Sequence, residues 1–247
     1  MNTGDNPKHS MNMKKNYLFL MTGFTVIMML FAACKKDYYQ DSGLAKGKFN
    51  GSVLDYLKSK PEYFSDVVKV IEITQMEDVF RKENITFFAP SNDCFDSTLR
   101  IVNSTLYLLG KDTISSYTQV PAQLWREMLT RYLFKGKYML NDIPQIDPVQ
   151  YKTYPGVFIR SYDGLPMNLG VVYHSDGGAQ YVGYRQLQVS YTADISQPPM
   201  TWYAAPVASV NIEPDNGVVH VLVFRTHYFG FSPSEFFSRV VQYGLGK

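Results

Sequence analysis

A change of period part-way along the chain is the feature that most narrows what it can fold into. Ser52 is placed as an N-cap, and Asp55 three residues on completes a capping-box pair ahead of Val53, Leu54 and Leu57. Pro61 restarts a helix in which Phe64, Val67, Val68 and Ile71 follow the i, i+3, i+4, i+7 rule. Met76, Val79 and Phe80 predict a third short helix. Helices this short are not stable alone, so they must pack on something. Ile85 to Ala89 reads as a strand stopped by Pro90, with Ser91 or Asn92 capping a helix that carries Phe95, Leu99 and Val102. Pro121 opens a helix predicted over 122–134, with Leu124, Met128 and Tyr132 on one face and Gly136 at its end. From about 149 to 210 the texture is different. Aromatic and β-branched residues alternate with Gly and Pro turn signals, which predicts several antiparallel strands. Gly217 to Phe224 reads as a last, buried strand. Helices first and strands later, without β-then-α alternation, specify α+β rather than a doubly wound sheet.

Composition narrows the function classes. The 247 residues are 45% hydrophobic and 19% charged, which is globular rather than disordered. The formal charge of +2 comes from the first 33 residues, which hold Lys8, Lys14 and Lys15 against Asp5. The rest is balanced, so no nucleic-acid surface built on excess Lys and Arg is expected. Two cysteines, Cys34 and Cys94, exclude a disulfide scaffold and any zinc site needing three thiolates. The four histidines are scattered. No Ser, Thr or Cys stands in a nucleophile context, so no catalytic, metal or cofactor site is read and no enzyme is expected.

The N-terminus reads as an address. Lys14-Lys15 precede the apolar run Leu18 to Ala33, which ends Leu30-Phe31-Ala32-Ala33-Cys34 and turns polar at Lys35. This end resembles the lipobox of bacterial lipoproteins, although Phe31 stands where an aliphatic residue is preferred. The resemblance implies a signal peptide over 1–33, with 1–12 a mis-called start, and a lipid on Cys34 that anchors the protein to a membrane. Residues 34–48 are polar and aperiodic, a tether. Lys35-Lys36-Asp37 partly resembles the surface-export signal of Bacteroidetes lipoproteins, so the expected location is the outer membrane, facing outward, with a periplasm-facing placement as the alternative.

Two stretches resemble the signature motifs of the fasciclin domain. One is Thr86-Phe87-Phe88-Ala89-Pro90-Ser91-Asn92-Asp93-Cys94-Phe95; the other holds Asn216-Gly217-Val218-Val219-His220-Val221. Their order and separation also agree with the family. The resemblance implies short helices packed on a twisted, mainly antiparallel β-sandwich or wedge. The domain would span 49–229, with an enlarged β-rich insertion at about 148–209, and a tail at 230–247 would dock as a helix. Thr86, Pro90, Asn92, Phe95, Asn216, Gly217 and His220 read as fold-motif residues. Asn216-Gly217 reads as a turn in which both residues tolerate positive φ, and His220 as a hydrogen-bonding residue within or beneath the sheet. The family often carries a Tyr-His pair linked to adhesion. Here Arg131-Tyr132 or Tyr132-Leu133 stands in that place, the His is missing, and adhesion is not carried over through that pair.

The chain holds 19 Tyr and 16 Phe, and the 148–209 region is rich in Tyr. Tyr173, Tyr181, Tyr184 and Trp202 form the candidate ligand surface, because rigid rings with polar tips suit recognition. Strand packing is the alternative use of the same residues. The expectation is a membrane-anchored, non-catalytic adhesion or ligand-binding module for a glycan or an extracellular protein. The alternative is an accessory subunit of an outer-membrane uptake or envelope complex, docked through the tail.

Overall fold

The computed structural model describes residues 47–224 and 226–246. The signal segment, Cys34 and all but the end of the tether lie outside the described residues. Among the described residues no helix is long and apolar enough to cross a membrane.

The first helices form for local reasons. In α1 (Val53–Lys58) the Ser52 hydroxyl accepts the Asp55 N–H, and the Asp55 carboxylate accepts the Ser52 N–H. α2 (Pro61–Ile73) opens on Pro61, whose missing N–H costs nothing at a helix start, and buries Phe64, Val67, Val70 and Ile71. α3 (Glu77–Lys82) buries Phe80 and delivers the chain to β1 (Ile85–Ala89), buried along its whole length. α4 (Asn92–Leu108) stops at Gly110, φ +64°, where the Lys111 N–H reaches the Leu106 carbonyl and the Gly110 N–H the Tyr107 carbonyl.

Two expectations need correction here. Neither Ser91 nor Asn92 caps α4 through its side chain. The Ser91 hydroxyl lies 3.5 Å from the Cys94 sulfur. Asn92 instead accepts the Asp66 N–H and donates to the Pro61 and Glu62 carbonyls, tying α4 to the first turn of α2. The helix predicted over 122–134 also ends early. α5 (Ala122–Leu129) passes through a 3-10 turn, Thr130–Tyr132, into β2 (Leu133–Lys135), which pairs with β1 through Ile85↔Lys135 and Phe87↔Leu133. Pairing with β1 takes Leu133 and Phe134 out of the predicted helix.

β3 (Val157–Arg160), β4 (Pro166–Tyr173), β5 (Arg185–Tyr191), β6 (Tyr203–Ile212) and β7 (Gly217–Leu222) complete a seven-stranded sheet in the order β2-β1-β7-β6-β5-β4-β3. The β1–β7 pair is parallel and the others are antiparallel. The sheet nearly closes on itself. Beyond β3 the Tyr162 N–H donates to the Leu133 carbonyl of β2 at 2.7 Å, and Asp163 takes a bidentate bond from Arg126. The residues from 148 to 209 therefore supply β3, β4, β5 and most of β6.

α6 (Pro233–Tyr243) follows, capped by Ser232 and burying Phe236 and Val240. Ahead of it Phe229 stacks on Phe95 with ring centres 4.0 Å apart, and Phe231 stacks on Tyr132. Phe229, Phe231, Phe236 and Val240 are spent inside the domain, and Val241 stays exposed.

Candidate functional site

Thr86, Asn216 and Gly217 meet at the end of the sheet where β1 and β7 begin, and Pro90, Asn92 and Phe95 lie beyond the other end of β1. Asn216 accepts the Val53 N–H at 2.8 Å and donates to the Phe80 and Glu83 carbonyls, so one amide joins α1, α3 and β7. The turn ahead of β7 is present, closed by the Gly217 N–H on the Pro214 carbonyl, but neither Asn216 nor Gly217 adopts the positive φ expected of it. Gly217 is required for a different reason. A Cβ there would stand 2.2 Å from the Ile85 carbonyl oxygen, so only glycine lets β7 lie against β1. Thr86 donates to the Gly136 carbonyl and accepts the Tyr138 N–H, fixing the chain after β2. Pro90 is buried where β1 stops, and Phe95 packs between Phe229 and Trp125.

His220 is fully buried against Phe88. Its Nε2 hydrogen goes to the Tyr138 carbonyl at 2.9 Å, and its Nδ1 accepts the Asn211 N–H at 3.2 Å. Asn211 is left-handed, φ +58°, at an irregularity in the β6–β7 ladder. The imidazole thus pins a bulge and a loop from beneath the sheet. Burial pushes its pKa down to about 4, only partly countered by the Tyr138 carbonyl, so it stays neutral.

The position where the family often carries Tyr-His has a different chemistry here. Tyr132 is buried, and its hydroxyl accepts the Gly230 N–H at 2.8 Å and shares a 2.5 Å hydrogen bond with Nε2 of His227. The histidine missing beside Tyr132 in sequence is supplied in space from 95 residues away. Burial pushes His227 down to about 3 and the Tyr132 hydroxyl well above its ordinary value. Beside them the buried Arg131 guanidinium grips Glu235 at 2.5 and 3.1 Å, donates to the Gly230 carbonyl and lies 4.2 Å over the Tyr191 ring. Tyr132 and Arg131 are therefore locks for the C-terminal segment rather than surface groups. A polar hollow of about 410 Å³ lies next to His227, lined from α4 by Asp93, Asp96, Ser97 and Arg100. Among the described residues no group of three or more His, Cys, Asp or Glu is placed to hold a metal ion.

The predicted aromatic surface separates into two parts. Trp202 is 9% exposed, donates to the Gln197 carbonyl and sits edge-on to Tyr151 and Phe158. It is packing, which corrects its place among surface residues. Tyr173 and Tyr181 do share a groove of about 290 Å³, with Ile146, Asp147, Pro148, Val149, Gln150, Val172, Ser175 and Gln180. Tyr184 stands outside that lining, exposed and stacked on His174 at 3.9 Å.

Tyr181 organises the groove. Its hydroxyl donates to Asp147 Oδ2 at 2.7 Å and accepts from the Gln150 amide at 2.7 Å. Its φ of +63° is left-handed, a conformation that costs a bulky residue energy and persists only where the surroundings enforce it. Asp147 Oδ1 accepts the Val149 and Gln150 N–H groups. Partial burial raises the Asp147 carboxyl, but the Tyr181 hydroxyl and the two N–H groups outweigh it and hold the group below its usual value. The same bond pushes the Tyr181 phenol up to about 12. Asp147 and Gln150 were not foreseen as site residues. The one local sign was Asp147-Pro148, an Asp that turns the chain back on itself.

A model of the fasciclin domain matches residues 62–223. The chain belongs to the fasciclin domain family. Such domains are commonly adhesion modules and are generally non-catalytic. Among solved structures, a FAS1 domain pair from the insect cell adhesion molecule fasciclin I is 17% identical. That match covers 70% of this chain and 49% of the insect one, with a TM-score of 0.44. This chain thus spans about half the length of that structure. No curated protein matches.

Proposed function

We propose that this fasciclin protein is a membrane-anchored cell-envelope lipoprotein, held through Cys34, that acts as a non-catalytic adhesion or ligand-binding module on the outer membrane. Its ligand, a glycan or an extracellular protein, enters the groove of Tyr173 and Tyr181. The observation that carries this reading is the groove itself. It is concave and largely apolar, and it is fixed by the Tyr181–Asp147–Gln150 bonds on the part of the sheet that carries neither fasciclin motif.

The anchor is tested by mass analysis of the mature N-terminus, where an acylated Cys34 is expected; an unmodified Met1 or Met11 start removes it. The groove is tested by adhesion of intact cells carrying Val149→Arg, because Val149 is 81% exposed on the groove wall and the change leaves the fold alone. Adhesion should fall; unchanged adhesion moves the ligand elsewhere. Deleting the inserted region is no test, since it removes β3, β4, β5 and most of β6 from the sheet.

The accessory-subunit reading keeps one supporting observation. Tyr107, Leu108 and Leu109 are exposed together on the last turn of α4, where a partner subunit could cover them. The tail no longer serves it, because Phe229, Phe231, Phe236 and Val240 are buried.

A further inference from the structure

We infer that the groove between Tyr173 and Tyr181 takes a single neutral sugar ring of a glycan chain. This rests on reading the groove as the ligand surface, and it names the ligand class. The first argument is charge. Asp147 is the one ionised group in the lining; the Arg185 guanidinium lies outside the lining, laid 4.4 Å over the Tyr173 ring. An acidic sugar, phosphate or sulfate would therefore meet the Asp147 charge and no cation within the lining. A cationic group fares no better. Both Asp147 oxygens are already engaged, Oδ1 by the Val149 and Gln150 N–H groups and Oδ2 by the Tyr181 hydroxyl. A carboxylate spent on its own loop is a brace, and the ligand it leaves room for is neutral.

The second argument is shape. The groove of about 290 Å³ lies at the small end of ligand sites, enough for one ring rather than a drug-sized molecule. Val149 and Val172 give it apolar area, while the Gln150 and Gln180 amides give it polar groups. A pyranose has that same duality, with C–H groups on its ring faces and hydroxyls at its edge. A folded protein partner needs about 800 Å² of surface on each side, far more than the groove presents. The third argument is rigidity. Tyr181 is held at φ +63° by bonds to residues 31 and 34 positions away. A ring fixed before the ligand arrives lowers the ordering cost of binding, which matters most for a ligand as hydrophilic as a sugar.

The purified full-length chain, in detergent, is applied to an array carrying both neutral and acidic glycans. Retention of neutral glycans is expected, with acidic ones passed over. Val149→Arg should weaken that retention about tenfold or more, by placing a charged side chain on the wall of the site. Val149→Ile, which keeps the wall apolar, should retain binding. The urea midpoints of both variants should match the parent, so that lost binding is not lost folding. An array that retains nothing, or only acidic glycans, overturns the inference, and so does equal retention by Val149→Arg. The adhesion assay separates this from the broader reading. If Val149→Arg abolishes cell adhesion while the array is empty, the ligand is a protein, the sugar inference falls and the adhesion module stands. If neutral glycans bind at the groove but adhesion is unmoved, the sugar site stands and the adhesion role falls.

Discussion

The two halves of the sheet use polar side chains in opposite ways. Where β1, β2 and β7 meet the helices, Asn216, Thr86, Asn92 and His220 all turn inward and bond to backbone groups. On β4, β5 and the segments outside them, Tyr173, Tyr181 and Tyr184 face a groove or solvent, Tyr181 from a left-handed backbone. The motifs therefore hold the fold together, and the segment between them presents the surface. A motif match in this chain identifies its architecture, while the binding proposed above rests on residues that no motif contains.

The largest effect is expected where the motif half has no slack. Gly217→Val should cost about 4 kcal/mol or more, because its Cβ would fall 2.2 Å from a backbone oxygen in a central strand. Chemical denaturation of the full chain measures it. A loss near 1 kcal/mol would mean that β7 can move away from β1, and that the two halves are less different than their packing says.

Acid should come next. Burial holds His220 near 4 and His227 near 3, against an ordinary value of 6.5. Both are neutral in the fold, so from pH 6.5 down to about 4 the unfolded chain gains protons that the folded one refuses. Stability is complete above pH 6.5 and falls as pH drops, by about 1.4 kcal/mol per pH unit for each histidine. By pH 5 each has removed about 2 kcal/mol. Urea midpoints at pH 7, 6 and 5 give the slope. His227→Gln should roughly halve it, and an unchanged slope would place the acid sensitivity elsewhere.

A smaller loss is expected at the C-terminal lock. Glu235→Gln leaves the buried Arg131 without its counter-charge, though still bonded to the Gly230 carbonyl and stacked on Tyr191. A cost of about 2 to 3 kcal/mol is expected, and adding Arg131→Met should recover much of it. Failure of the double variant to recover would show that Arg131 also holds the backbone in place.

What could be read in the sequence follows the same division. The Ser52–Asp55 box, the Pro61 start, the strand stopped at Pro90 and the buried β7 are all local signals, and each stands in the fold where its residues put it. Legibility failed wherever a distant partner decided the outcome. Leu133 and Phe134 fall within the predicted helix but are claimed by β1. Asn92 has the chemistry of a cap but finds α2. The groove was half legible. Tyr residues at strand ends are visible in sequence, whereas the bonds from Tyr181 to Asp147 and Gln150 span more than 30 residues. Trp202 was misplaced because composition cannot tell a ring that faces solvent from one that lies against Tyr151 and Phe158.

The smallest stability effect should come from the groove, and its sign separates strain from bonding. Tyr181→Phe keeps the ring and the left-handed backbone but removes the hydroxyl that joins Asp147 to Gln150. It should lower the urea midpoint slightly, since nothing relieves the backbone in exchange. Tyr181→Gly loses the same hydroxyl and the whole ring, yet glycine adopts φ +63° at no steric cost. If the strain is real, the glycine variant should be as stable as the phenylalanine variant or more so, while binding worse than either. A glycine variant clearly less stable than the phenylalanine one would show that the ring packs for the fold. The contrast between a half that holds and a half that presents would then fail at the residue where it matters most.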